Sequence, residues 1–276
     1  TGRNANELAD TLRALDIPHE WTHEIVRRKV LHDQALIQQR CVQEPDEVAA
    51  ELLAGVREAL GPAHAHLADV HFKPSYRPWQ QRLAFVPNGD LFKALRNDQA
   101  SVVTGQIDRF VAEGIRLSNG DIVPADVIVT ATGFNLNVLG DIAFQVDGQP
   151  LDFASSVTWR GAMFTGLPNL VWVFGYFRAS WTLRADLLGD FVCKLLQHMD
   201  TQGVRSVVPH LRPEDQGMNL APWVRPDNFN PGYLARSMHQ LPRQGDHAPW
   251  VHLQDYRKEK DDLPAAALDD GSLIFN

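Results

Sequence analysis

The chain has 276 residues, 44% of them hydrophobic and 22% charged, an ordinary globular composition with enough apolar material for one or two cores. A net charge of −8 and a pI near 5.7 exclude a nucleic-acid surface, which needs clustered Lys and Arg. The two cysteines, Cys41 and Cys193, form no CxxC, which excludes a disulfide scaffold and a dithiol redox centre and fits a reducing, cytoplasmic compartment. No stretch approaches the ~20 apolar residues of a membrane-spanning helix, and no signal-peptide pattern opens the sequence.

Residues 1–60 read as helical. Asn4 and Glu7 make a capping-box-like start, after which Leu8, Leu12 and Leu15 recur at helical spacing. A second helix is predicted from Glu20 to Gln39, with Arg27, Arg28 and Lys29 on its solvated face. A third begins at Pro45, whose fixed φ suits a first helical residue, and stops before Gly61-Pro62. Its apolar stripe is Val48, Leu52, Leu53, Val56 and Leu60. His64, His66, Asp69 and His71 have the look of metal ligands, since residues two apart on a strand share a face. Their Ala-rich setting after Gly61-Pro62 reads instead as a surface loop, and no metal is expected.

His71 to Arg82 is predicted extended, because its prolines bias their neighbours away from helix. Strands are predicted at Ser101–Gln106, Gly114–Leu117 and Ala125–Ala131, with Ser118-Asn119-Gly120-Asp121 as a hairpin turn. Val127-Ile128-Val129 is apolar on both faces, the mark of a strand inside a parallel sheet. Two more strands are predicted at Val157–Phe164 and Leu170–Phe174. A long helix from Trp181 to Met199 follows, buried through Leu183, Leu187, Leu188, Phe191, Leu195 and Met199, with Asp190 and Lys194 paired outside. The last ~75 residues are rich in Pro and Gly, with a short helix near Gly232–His239 and a closing strand at Ser272–Phe275. No GxSxG supports a serine hydrolase.

The strand ending Ala131-Thr132-Gly133 suits a dinucleotide domain, where small residues let the backbone approach a cofactor. Three blocks make this specific: PWQQRLAFVPNGDLFKAL from Pro78, DIVPADVIVTATGFNLNVLG from Asp121, and GLPNLVWVFGYFRASWTLRADLLGDFVCKLL from Gly166. Together they resemble the C-terminal part of class B flavoprotein monooxygenases, the group that includes Baeyer–Villiger and 4-hydroxyacetophenone monooxygenases.

The resemblance implies an α/β fold, an incomplete pair of Rossmann-like dinucleotide-binding domains with an N-terminal helical segment. Residues 1–70 would be a helical insertion of the NADPH domain, 71–134 the rest of that domain, and 135–276 the end of the FAD domain with an extension. It implies FAD and NADPH as cofactors, O2 as co-substrate, and a small ketone, or a sulfur- or nitrogen-containing compound, as substrate. In such an enzyme NADPH reduces FAD, the reduced flavin activates O2, and one oxygen atom enters beside a carbonyl to give an ester or lactone. An N- or S-hydroxylating monooxygenase is the alternative within the fold, and a non-catalytic remnant or interaction domain the alternative outside it.

Residue by residue, the turn from Tyr176 to Thr182 would lie beside the flavin ring, with Ser180 at the N-cap and backbone N–H groups near flavin oxygens. Trp181 is either a pocket wall or a core aromatic. Thr132 and Gly133 match the interdomain hinge near the nicotinamide, so a deep cleft lined by Thr132, Ser180 and Trp181 is expected there. Arg82 matches one position of a basic loop that reaches the NADP phosphate or the substrate, although Gln81 replaces the second basic residue. No two glycines stand two positions apart, so neither GxGxxG fingerprint is present. The fingerprints and the catalytic residues are therefore expected upstream of Thr1.

Overall fold

The computed structural model describes residues 7–276, which form two compact units meeting in sequence at Gly133 and Phe134. The proposed cap at Asn4 lies outside the described residues.

In the first unit, α1 (Glu7–Ala14), α2 (His19–Gln43) and α3 (Pro45–Leu60) follow the predicted helices closely. Pro45 opens α3 as expected, and Gly61 at φ 72° ends it. Two short helices follow, α4 (Leu67–His71) and α5 (Asp90–Arg96). Leu60, Ala68, Phe92 and Leu95 form the core here, with Val56, Phe72 and Val86 packed against it. Each large side chain withdrawn from water contributes about 1.5–3 kcal/mol. Only part of the predicted α3 stripe is sealed: Val48 and Leu60 are buried, but Leu52 stays exposed. Within the histidine cluster, His64, Asp69 and His71 have separate partners. His64 Nε2 lies 3.4 Å from Asp98, His71 Nδ1 2.8 Å from Thr104 Oγ1, and Asp69 accepts from Arg57 at 2.6 Å.

His71–Arg82 is not uniformly extended. It turns at residues 78–80, where Trp79 has φ 61° and the Gln80 N–H donates to Arg77 O. The first strand forms later than predicted, at β1 (Ile107–Val111) rather than Ser101–Gln106. It pairs antiparallel with β2 (Gly114–Leu117), which pairs with β3 (Ile122–Pro124). The predicted Asn-Gly turn joins β2 to β3: the Gly120 N–H donates to Leu117 O at 2.9 Å and Asn119 Nδ2 to Asp121 at 2.7 Å. Gly114, at φ 144°, is required sterically, because a Cβ there would sit 2.2 Å from Val123 O.

The largest departure is Ala125–Ala131, which forms no strand and leaves Val127 78% and Val129 83% exposed. A strand apolar on both faces needs partners along both edges and a layer over each face. The described part of this unit supplies neither, and no parallel strand pairs with the segment among the described residues.

The second unit opens with a small ribbon, β4 (Gln145–Val146) and β5 (Gln149–Pro150). The predicted strand at Val157–Phe164 is a tight hairpin, β6 (Thr158–Trp159) and β7 (Met163–Phe164), reversing at Arg160-Gly161. Leu170–Phe174 is not a strand, although the Trp172 N–H reaches Ala162 O at 2.7 Å. α6 (Trp181–Gln202) spans 22 residues and stops at Gly203, φ 70°. The order continues with β8 (Val207–Pro209), β9 (Ala221–Pro222), α7 (Gly232–Ser237), β10 (Arg243–Gln244), α8 (Tyr256–Asp262) and β11 (Leu273–Phe275). β8 pairs antiparallel with the predicted closing strand β11, and β9 with β10.

α6 buries Leu183, Leu188, Phe191, Leu195 and Met199, with Leu187 packed at the margin. Trp159 stacks on Phe191 at 5.3 Å, and its indole N–H donates to Ser272 at 2.9 Å. The predicted Asp190–Lys194 pair does not form. The Lys194 ammonium donates instead to Pro264 O and Ala266 O, both at 2.8 Å, because two fixed carbonyls outcompete a water-exposed carboxylate. A second cluster gathers Phe177, Trp223, Val224, Phe229, Leu234 and Leu241. No described helix is long and apolar enough to cross a membrane.

Candidate cofactor-facing site

The turn leading into α6 is held by a buried charge. Arg184 lies one turn inside the helix with no exposed surface, and Glu259 of α8 is 3% exposed. Arg184 Nε donates to both Glu259 oxygens at 2.9 and 3.1 Å, forming a salt bridge sealed from water. Its other nitrogens donate to three carbonyls: Phe174 O at 2.9 Å, Gly161 O at 3.3 Å and Arg160 O at 2.7 Å. The Tyr176 hydroxyl donates to the same carboxylate. Burial first, and then the Glu259 charge, push the Tyr176 phenol far above its ordinary range, so it remains a donor.

A second set of contacts fixes the turn from the other side. The Gln254 side-chain oxygen accepts from the Phe177 N–H at 2.8 Å, and its amide nitrogen donates to Gly175 O at 3.3 Å and lies 2.8 Å from His252 Nε2. The His252 ring stacks on Trp223 at 4.1 Å. Burial, reinforced by the nearby Arg184 charge, holds His252 well below the ordinary imidazole range, so it is neutral and its Nε2 accepts from Gln254. Trp223 in turn stacks on Trp172 at 4.6 Å. The backbone from Phe174 to Phe177 is thus clamped by α8, residues 252–254 and an aromatic stack.

What this clamp presents outward is the start of α6. Ser180 occupies the N-cap position with extended backbone, but its side chain makes no cap hydrogen bond. Its Oγ pairs with Thr182 Oγ1 at 2.8 Å, leaving the helix's first N–H groups without a side-chain acceptor. Ser180, Trp181 and Thr182 are all exposed, Trp181 by 49%. Trp181 also rests on the Phe174 ring at 4.7 Å and closes over Gly175, where a Cβ would meet its ring at 2.3 Å. It therefore has one packed face and one open face. The other sequence-predicted residues lie in the first unit, where Arg82, Thr132 and Gly133 are exposed and Gly133 has φ 97°. A cavity of about 290 Å³ lies within the second unit, lined by Arg160, His247, Pro249, Glu259, Asp262 and Leu263 among others. It includes none of Thr132, Ser180 and Trp181, the residues expected to line a cleft.

Arg184, Glu259, Tyr176, Gln254 and His252 were not found by sequence reasoning. One signal was available: Arg184 sits in register with Leu188, Phe191 and Leu195 on the apolar face of α6, and a core-facing guanidinium demands a buried partner.

Over 94% of its length the chain is similar to proteins named as flavin monooxygenases. It is 39% identical over 261 residues to the FAD-containing monooxygenase EthA of Mycobacterium tuberculosis, covering 52% of that protein. It is 38% identical over 260 residues to the probable FAD-binding monooxygenase AlmA of Acinetobacter baylyi and to the putative FAD-containing monooxygenase MymA of M. tuberculosis, covering 51% of each. The chain spans about half the length of the curated relatives it matches. No family model matches it, and no solved structure matches it.

Proposed function

We propose that this chain is one half of an FAD- and NADPH-dependent monooxygenase that inserts one oxygen atom from O2 beside a ketone carbonyl, and that its contribution is the wall facing the flavin ring. The observation that carries this reading is the exposed, side-chain-uncapped start of α6, held rigid from behind by Arg184 and Glu259. Unsatisfied N–H groups at the positive end of a 22-residue helix suit an electron-rich ring edge or an anionic oxygen. The donor set therefore fits the ring portion of the cofactor. It does not fit the pyrophosphate, for which no glycine fingerprint exists in this sequence. When bound, FAD supplies the redox chemistry by which O2 is activated.

In this reading the chain's own residues divide the work among them. The N–H groups at the start of α6 would orient and polarise the ring edge, and Trp181 would help to exclude water from it. Arg184, Glu259 and Tyr176 position the turn without touching the ligand. By the resemblance, Thr132 and Gly133 would lie at the hinge near the nicotinamide, and Arg82 would supply positive charge toward the NADP phosphate or the substrate. Relatives named as FAD-containing or FAD-binding monooxygenases support the cofactor and the reaction class; NADPH and ketone chemistry rest on the three sequence blocks.

The test is expression of the polypeptide together with the half that its relatives possess and this chain lacks. The expected product is a yellow protein that oxidises NADPH when a ketone is supplied and incorporates one 18O atom from 18O2 into an ester or lactone. Incorporation only into a thioether or amine would replace ketone chemistry with S- or N-oxygenation. A colourless protein that consumes no NADPH would remove the enzymatic reading.

A further inference from the structure

We propose that the cavity of the second unit beside Arg160 binds a small monocarboxylate, a single carboxylate on an apolar body, with its charge on the Arg160 guanidinium. Arg160 stands at the reversal between β6 and β7 with φ 49°, followed by Gly161 at φ 63°. Left-handed turn positions suit Asn, Asp or Gly, so arginine is placed here against local backbone preference. Such strain persists where the surroundings hold it. Here the Arg160 N–H donates to Pro249 O at 2.6 Å, and its carbonyl accepts from Arg184 at 2.7 Å. The side chain so placed lines the cavity.

That side chain is a half-buried charge without a counter-ion. Among the described residues no carboxylate forms an ion pair with it, and its Nε is buried with no hydrogen-bond partner. Its Nη1 makes a 3.4 Å contact with Asp262 O. The Trp159 ring, 5.3 Å from Cζ, is a weak partner. Burial pulls the guanidinium below its ordinary range, and the charges of Asp262, Asp270 and Glu259 offset this only in part. Charges withdrawn from water are costly unless paired, so a guanidinium in this setting calls for an anion.

The other ionisable groups of the wall select the kind of anion. His247 gives both ring nitrogens to Asp215 and Asp246, and Asp246 also accepts from Asn219. Glu259 is held by Arg184 and Tyr176. Asp246, Glu259 and Asp262 nevertheless place their negative charge around the space, which opposes a phosphate or another polyanion and leaves room for one negative charge. Ala248, Pro249, Val251, Leu253 and Leu263 supply the remaining wall, an apolar surface that suits a hydrocarbon body. A void of about 150 Å³ holds benzene, so this cavity of about 290 Å³ admits a molecule of roughly ten heavy atoms.

Octanoate is titrated by calorimetry into this chain and into a longer polypeptide that includes the half its relatives possess, with octan-1-ol and inorganic phosphate as comparisons. Octanoate should bind both proteins with a Kd of about 1 mM or tighter, the range open to roughly ten heavy atoms. Octan-1-ol and phosphate should bind at least ~10-fold more weakly. Arg160→Gln should weaken octanoate by a similar factor, about 10-fold or more, through loss of a charge-assisted hydrogen bond. Its melting temperature should not fall, because the change removes a desolvated charge. Ala248→Phe, at an exposed position on the rim, should fill the cavity and abolish binding, and it carries the test alone if Arg160→Gln does not fold. Equal affinity for octanoate and octan-1-ol, or octanoate affinity that survives Ala248→Phe or a folded Arg160→Gln, would overturn the site. Phosphate binding as tight as octanoate would overturn the monocarboxylate assignment. Binding to this chain but not to the longer polypeptide would overturn it in favour of an acidic side chain of the other half seated on Arg160.

Discussion

Arg184 and Glu259 stand 75 residues apart in sequence and meet with essentially no water around either charge. The guanidinium also donates to the carbonyls of Arg160, Gly161 and Phe174, and the carboxylate also accepts from Tyr176. A charge pair satisfied this fully is costly to break from one side, because the remaining partner stays buried without compensation.

Arg184→Met should therefore lower stability by about 3–5 kcal/mol, and Glu259→Gln by a comparable amount. The double change Arg184→Met, Glu259→Leu should recover part of that loss, since no charge is then stranded. Urea denaturation of the three variants measures the coupling. Losses that simply add would show that the two charges act independently.

Ser180→Ala should change stability by no more than about 0.5 kcal/mol, the range of an ordinary surface substitution. A capping serine would cost about 1 kcal/mol, but the Ser180 hydroxyl faces Thr182 and caps nothing. Thermal melting of the variant distinguishes the two. A loss of a full unit or more would mean that the hydroxyl reaches the helix N–H groups in solution.

Gly175→Ala should displace the Trp181 ring, because the new Cβ would lie 2.3 Å from it. Overpacking of this kind costs about 1–3 kcal/mol. Tryptophan emission should shift as the half-exposed indole leaves the Phe174 face. An unchanged emission spectrum with unchanged stability would mean that the turn relaxes freely, against the clamp described above.

A network around Asp215 should shape the pH profile. Its carboxylate accepts from Arg212 at 2.8 Å and contacts His247 at 2.9 Å; chiefly the Arg212 hydrogen bonds hold it far below the ordinary carboxylate range. His247 is raised above the usual imidazole range, first by Asp215 and then by Asp246. A depressed carboxylate stabilises above its unfolded pKa of about 4, and that stability is lost as pH falls through the folded value. A raised histidine stabilises below its unfolded pKa of about 6.5, and its contribution is lost as pH rises through the folded value. Both contributions are complete between about pH 4 and 6.5. The melting temperature should fall on either side of that window, more gently on the alkaline side because His247 is partly in water. His247→Gln should flatten the alkaline limb and keep the acid limb; loss of both limbs would show that the acid limb does not belong to Asp215.

Elements governed by local chemistry were legible in the sequence. Pro45, Gly61, the Asn119-Gly120 turn and the stripe of α6 all fall where their backbone preferences place them. The turn into α6 was legible as a block of residues, but the clamp behind it was not. Arg184 signals a need for a partner, yet nothing in its surroundings points to Glu259, because pairing across 75 residues is decided by tertiary packing. Val127-Ile128-Val129 shows the converse: its pattern describes an environment that the described chain does not provide. Lys194 was misread for a simpler reason, since helical spacing to Asp190 says nothing of carbonyls arriving from residues 264 and 266.

The separation between Arg184 and Glu259 also sets an order in time. A ribosome adding roughly 5–20 residues per second completes α6 several seconds before Glu259 exists. Throughout that interval Arg184 must remain hydrated, so the apolar face of α6 cannot close around it at full depth. The Phe174–Phe177 backbone, whose clamps come from Gln254 and Glu259, is equally without them. The wall of the candidate site is therefore among the last parts of the nascent chain to become rigid, and a chaperone that shields α6 would act in that interval.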